Sequence, residues 1–238
     1  MKRVDITLSA RGVAYLLLCP VLLLAAVTIP MELAEEHIRP FSWTAADVFR
    51  RFTLNSENSV PAWFSAMLHL CSAALLAICA WMHRSRGNRW WKHWASLSAI
   101  FCLLSLDEAA SFHEILMVPM DRLVKAEGVF YFTWVIPGIA IVIALGLAYL
   151  RFLWNLDSTT RYRFIAAACL FVGGALGMEM VDGAILDHFG EQHIAYMLAT
   201  TVEETGEMLG LVVFIWSLIS HLTTEAGEIR LKLAAAPA

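Results

Sequence analysis

Six apolar stretches, each of about 18 residues or more, recur along this chain, and a helix of that length crosses the hydrocarbon layer of a membrane. They run approximately 12–32, 61–83, 94–118, 129–154, 163–187 and 194–220. The connections are short except for 33–60, which leaves no segment for a soluble appendage. The expected fold is therefore an all-α integral membrane protein, one polytopic domain over residues 1–238 with six transmembrane helices. Composition supports this, because 59% of residues are hydrophobic and only 16% charged, against about a quarter charged in soluble domains. Lys2, Arg3 and Arg11 precede the first stretch, but its length and the lack of a small-x-small cleavage site favour a retained helix over a removed leader.

Lysine and arginine in short loops stay preferentially on the cytoplasmic side during insertion. With both termini inside, twelve basic residues fall on inner segments: Lys2, Arg3, Arg11, Arg84, Arg86, Arg89, Lys92, Arg151, Arg161, Arg163, Arg230 and Lys232. Five fall outside: Arg39, Arg50, Arg51, Arg122 and Lys125. That asymmetry predicts cytoplasmic N and C termini in a plasma membrane of the bacterial inner-membrane type. The long outer loop 33–60 contains SWTAADVFRRF, with a cap at Ser42 or Thr44 and apolar Trp43, Val48, Phe49 and Phe52, which predicts an interfacial helix. The inner loop RGNRWWKHW has the aromatic and basic pattern of a headgroup girdle. A net charge of -4 supplies no basic face for nucleic acid, so membrane lipids are the expected surroundings. Cys19, Cys71, Cys79, Cys102 and Cys169 lie singly in apolar runs and read as packing residues.

What interrupts the apolar spans carries the chemistry. Asp107, Glu108, His113 and Glu114 lie in the third span, Glu179 and Asp182 in the fifth, and Glu203, Glu204 and Glu207 in the sixth. An intramembrane carboxylate costs about 2.5 to 3.5 kcal/mol on insertion scales, so a cluster of them points to a functional site. At a rise of 1.5 Å per residue, Glu108 and Glu204 lie about 15 Å below the outer ends of their helices and Glu207 about 20 Å. On the same measure Glu179 and His69 lie about 12 Å deep, Asp182 about 8 Å and Glu114 about 6 Å, which predicts one polar slab in the outer half of helices two, three, five and six. Azimuth groups them further: Asp107, Ser111 and Glu114 form one stripe with Glu108 beside it and His113 facing away. Tyr196, Thr200, Glu203 and Glu207 form another, with Glu204 alongside.

No Lys or Arg lies deep in any span, so cations or protons must neutralise these acids. The donor set suits one or two divalent ions, iron, manganese or zinc, held by His69, Glu108, Glu114, Glu179, Asp182, Glu204 and Glu207. Glu108 and Glu203 are the candidate general acid and base, and Asp107, Ser111, His113, Tyr196 and Thr200 the residues that orient the ligands. Glu179 with Asp182 and Glu204 with Glu207 share the three-residue spacing of helical di-metal sites, but each has a carboxylate where that motif has histidine, and no family is assigned. His113-Glu114 is not a zinc-protease helix, since position 117 is Met, and no Gly-rich phosphate loop or Gly-x-Ser-x-Gly elbow is present. The leading expectation is a membrane-embedded metalloenzyme acting by hydrolysis or oxygen activation on a lipid-like or small outer-side substrate. The alternatives are a proton-coupled or cation transporter using the same acids, and a structural or assembly subunit in which the carboxyls only join helices.

Overall fold

A computed structural model describes residues 5–7, 9–227 and 230–232. Five of its helices are long and apolar enough to cross a membrane, and six spans result when one sharply bent pair counts as a single crossing. The chain runs through α1 (Ala10–Ile38), α2 (Trp43–Arg50), α3 (Val60–Ser85), α4 (Trp91–Ala110), the short α5 (Phe112–Ile115) and α6 (Met117–Met120), then α7 (Val135–Asn155), α8 (Ser158–Val172), α9 (Glu179–Phe189) and α10 (Ile194–Ala226). A π-helical turn, Gly173–Met178, joins α8 to α9 without interrupting the span. Strands β1 (Asp5–Thr7) and β2 (Arg230–Lys232) pair antiparallel, which places the two ends of the chain side by side at the same end of the bundle.

Helix starts are set by local chemistry. Ser42 Oγ accepts the Ala45 N–H to cap α2, Ser59 does the same for Ala62 ahead of Pro61 in α3, and the Asp157 carboxylate accepts the Thr160 N–H at the start of α8. Helix α2 keeps Trp43 and Val48 exposed, the pattern of a helix lying against an apolar boundary. The first helix is longer than its hydropathy suggests. It continues past residue 32 to Ile38 despite Pro30, so Glu35, which the sequence assigns to a loop, is buried on a helix together with Glu32.

Helix α10 is the most buried span, and α1, α3, α8 and α9 pack against it. On the end nearest the chain termini, Leu76, Trp94, Phe152, Phe164 and Leu218 form one core. There Asn88 Oδ1 accepts the Trp90 N–H, which leaves its amide nitrogen to donate to His83 Nδ1, while His83 Nε2 shares a 3.2 Å hydrogen bond with His221 Nε2. Arg84, Arg89, Arg161 and Arg163 stack on Trp91, Trp90, Trp154 and Trp216 at the same end, 4.0 to 4.9 Å from the ring centres. Further along the bundle Val21, Leu68, Met208, Leu211 and Ile215 make a second core. Cys79 lies in the first core, whereas Cys19, Cys71, Cys102 and Cys169 are free thiols on the outside of the helices rather than packing residues between them.

A carboxylate-lined cavity as the candidate site

A cavity of about 1010 Å³ occupies the half of the bundle away from the chain ends, and all thirteen candidate site residues of the sequence line it. Helix α3 gives His69, α4 gives Asp107 and Glu108, and the segment beyond its end gives Ser111, His113 and Glu114. Helix α9 gives Glu179 and Asp182, and α10 gives Tyr196, Thr200, Glu203, Glu204 and Glu207. No Lys or Arg is among the lining residues.

Two expectations about its construction are corrected. The third span is not one helix: α4 stops at Ala110, Ser111 adopts a left-handed conformation with φ 50°, and the chain turns by 77° into the next helical segment. A stripe read along a continuous helix therefore fails there, and His113 does not face away. Its backbone N–H donates to Asp107 Oδ1 at 2.7 Å and its ring Nδ1 pairs with Asp107 Oδ2 at 3.0 Å, so one carboxylate both ends α4 and begins α5. The fourth span, moreover, belongs to the cavity, because Trp134, Gly138, Ile141, Val142 and Leu145 line it.

Helix α10 comes close to the π-helical turn at Gly174 and to α8 at Gly210. A Cβ on Gly174 would lie 2.9 Å from the Glu203 carbonyl oxygen, and one on Gly210 would lie 2.7 Å from the Phe171 amide nitrogen. Glycine is what allows this approach. A Cβ on Gly183 would lie 3.0 Å from Tyr131 Cβ, whereas Gly173 and Gly177 face open space. A π-helical turn shifts the register of the helix beyond it, and such turns occur often at functional sites. Here it precedes Glu179 directly.

Donors fix several of the acids. Trp134 Nε1–H donates to Glu179 Oε1 at 2.9 Å, and Thr200 Oγ1–H to Asp182 Oδ2 at 2.9 Å. The Glu203 carboxyl faces those of Glu179 and Asp182. Asp182, 2% exposed, is left with Oδ1 lacking any hydrogen-bond partner. His69, 1% exposed, donates Nδ1–H to the Ser65 carbonyl at 3.1 Å, since a carbonyl can only accept. Its Nε2 therefore carries the lone pair, and that buried atom has no partner. Among the described residues no three His, Cys, Asp or Glu side chains stand ready-arranged around one metal position.

Among the lining residues that sequence reasoning missed are Trp134, Glu57 and Glu191. Trp134 looked like any membrane aromatic, because its partner Glu179 is 45 positions away. Glu57 and Glu191 lie in loops, yet Glu57 reaches the Glu114 carboxyl. Both also line a neighbouring polar pocket of about 470 Å³ with Asn55, Ser56 and Arg51, so the cavity has a polar mouth.

The apolar helices are those of a multi-pass helical membrane protein, and several carboxylates line its cavity. The chain belongs to the family described as Domain of unknown function (DUF8692), whose model matches residues 14–222. No curated protein and no solved structure is similar to it.

Proposed function

We propose that this protein is a membrane-embedded metalloenzyme whose cavity holds one or two divalent cations, iron, manganese or zinc, between carboxylates and the His69 imidazole. The observation that carries the reading is the His69 Nε2 lone pair, buried without a partner in a chamber lined by carboxylates and by no Lys or Arg. Neutral imidazole with its other nitrogen bonded to a carbonyl is the state in which histidine binds a metal, and mixed imidazole and carboxylate donors suit these ions. Asp182 Oδ1, also without a partner, is a second open donor atom. Trp134 and Thr200 hold the other edges of Glu179 and Asp182, as outer partners of metal ligands do. A cation bound there would supply Lewis acidity for hydrolysis or, if it is reduced iron, electrons for oxygen activation. Glu203 and Glu108, in the same chamber, are the groups assigned to hold and pass protons. With cytoplasmic termini, which the basic loops favour, the cavity would lie in the outer half of the membrane.

One observation favours a second reading. Glu203 facing two further carboxyls without a cation requires shared protons, which is the arrangement of a proton-coupled or cation transporter. Metal analysis by plasma mass spectrometry separates the two. Detergent-purified protein is expected to retain about one or two equivalents of iron, manganese or zinc, and a folded Glu179→Gln, Glu204→Gln variant to lose them. A metal-free wild type that also fails to bind added manganese or zinc refutes the enzyme reading and directs attention to proton flux.

A further inference from the structure

At the end of the bundle nearest the chain termini, the turn between α3 and α4 gathers three cations on two tryptophans. The Arg84 guanidinium lies 4.9 Å and the Lys92 ammonium 5.9 Å from the centre of the Trp91 ring, and the Arg89 guanidinium lies 4.7 Å from that of Trp90. All three residues are exposed. None of them is in an ion pair among the described residues, and the first turn of α4 holds no acidic residue. Glu225, at the end of α10, is taken by Arg86, whose terminal nitrogens donate to its carboxylate and its backbone carbonyl at 2.8 Å. The turn itself is fixed: Gly87 takes φ 66°, and Asn88 accepts the Trp90 N–H at 2.9 Å while its amide donates to His83. A guanidinium whose face rests on an indole keeps its N–H edge for an anion.

Apolar surface begins beside these charges. Trp81, three residues before Arg84, and Ile78, three before that, are exposed on α3, about 4.5 and 9 Å along the helix. We propose that this turn binds one phospholipid of net negative charge, its phosphate between Arg84, Arg89 and Lys92 and an acyl chain along Trp81 and Ile78. Charge complementarity selects the class, because guanidinium groups pair with phosphate through two N–H bonds and each cation at a membrane surface adds to the attraction for anionic lipid. A zwitterionic phospholipid carries the same phosphate but adds an ammonium group that three cations repel, so net charge decides. Arginines at the other end of the bundle differ, since Arg50 and Arg51 pair with Asp47 and Arg39 with Glu35. Arg84 belongs to α3 and Lys92 to α4, so one phosphate joins the two helices that carry His69, Asp107 and Glu108 to the cavity. The lipid site lies away from that cavity and is independent of what the cavity holds.

The test titrates the whole protein, stripped of lipid in detergent, with dioleoyl phosphatidylglycerol or dioleoyl phosphatidylcholine and counts bound lipids by native mass spectrometry. The first phosphatidylglycerol is expected to bind at least about tenfold more tightly than the first phosphatidylcholine. An Arg84→Gln, Arg89→Gln, Lys92→Gln variant, changed only at exposed positions, is expected to lose that preference. An Arg151→Gln, Arg161→Gln, Arg163→Gln variant, which removes the same charge from the same end, is expected to keep it. Phosphatidylglycerol with a diazirine in its acyl chain is expected to label Ile78 and Trp81 in the wild type and about tenfold less in the first variant. Equal affinity for the two lipids, equal loss in the two variants, or labelling of Ile78 and Trp81 that survives the first variant overturns the proposal. Displacement of the lipid by an equal concentration of inorganic phosphate or glycerol phosphate also overturns it, by marking a site for a free phosphate instead.

Discussion

Replacing Gly174 by alanine tests whether the close approach of α10 to the π-helical turn positions the acids. The added Cβ would lie 2.7 Å from Glu207 Cγ and 2.9 Å from the Glu203 carbonyl oxygen, where ordinary contact begins at 3.4 Å. The Glu207 stem must therefore yield about 0.7 Å and the carbonyl about 0.5 Å. The stem can rotate, but the carbonyl belongs to a hydrogen-bonded helix, so α10 itself must move and carry Glu203, Glu204 and Glu207 with it. Overpacking of this kind costs about 1–3 kcal/mol. The better helix propensity of alanine offsets about 1 kcal/mol of that, for a net loss of about 0–2 kcal/mol. The functional effect is expected to be larger, since misplacing reacting groups by about 1 Å costs about a hundredfold, and half that displacement about tenfold. Gly206→Ala is the control, because its Cβ would meet the Leu170 carbonyl only at 3.7 Å, an ordinary contact. Thermal unfolding and manganese titration of both variants in detergent check the argument. If Gly174→Ala binds manganese as tightly as Gly206→Ala and unfolds no earlier, the helix approach does not set the site.

Two further changes probe separate features. Trp134→Phe keeps the ring beside His113 but removes the N–H that bonds Glu179; metal affinity by calorimetry is expected to fall about 10- to 100-fold with the fold intact, and an unchanged affinity would remove Trp134 from the site. Asp157 lies between spans, where burial pushes its carboxyl up but the hydroxyl and N–H of Thr160 outweigh it and hold the group below its usual value of 3.8. Because the folded-state value is the lower one, its stabilisation is fully present above 3.8 and is lost as the pH falls through that depressed value. Asp157→Ala is thus expected to cost about 1 kcal/mol in denaturant unfolding at pH 7 and progressively less in strong acid, and a cost independent of pH would refute the cap's ionic character.

Much of this organisation was legible because hydrocarbon imposes a length and a polarity on every span. The spans and the lining residues follow from apolar runs and from the acids that interrupt them, which depend on local sequence alone. The break at Ser111 was not legible: neither Gly nor Pro marks it, and its cause is tertiary, the Asp107 carboxylate capturing the His113 N–H and ring across the turn. The bend in turn reassigns His113 from the outside of a stripe to the cavity. Glu35 was misread for a related reason, since hydropathy ends at residue 32 whereas the helical hydrogen bonds continue to Ile38. The contribution of α7 was invisible because an apolar span carries no sign of which face meets a cavity and which meets lipid.

The acids fall on two units of different stiffness. Glu179, Asp182, Glu203, Glu204 and Glu207 belong to helices locked by the contacts at Gly174 and Gly210, so their backbones have little room to move relative to one another. Glu114 and His113 lie beyond the bend, on a four-residue helix whose first residue follows a left-handed serine, a conformation that costs a non-glycine residue roughly 1–2 kcal/mol. A change of backbone angle at Ser111 would move Glu114 and His113, and it would have to break the His113–Asp107 hydrogen bonds and the ring contact with Trp134, the partner of Glu179. This division bears on the lack of a ready-arranged group of three ligands among the described residues. A cation entering such a chamber would meet the carboxylates of α9 and α10 and the His69 lone pair on one side, and Glu114 of the bent segment on the other. The transport reading uses the same division differently, since a proton shared among Glu203, Glu179 and Asp182 stays within the stiff unit and leaves the bend without a role. Whether the bend responds to a cation is thus a physical difference between the two readings.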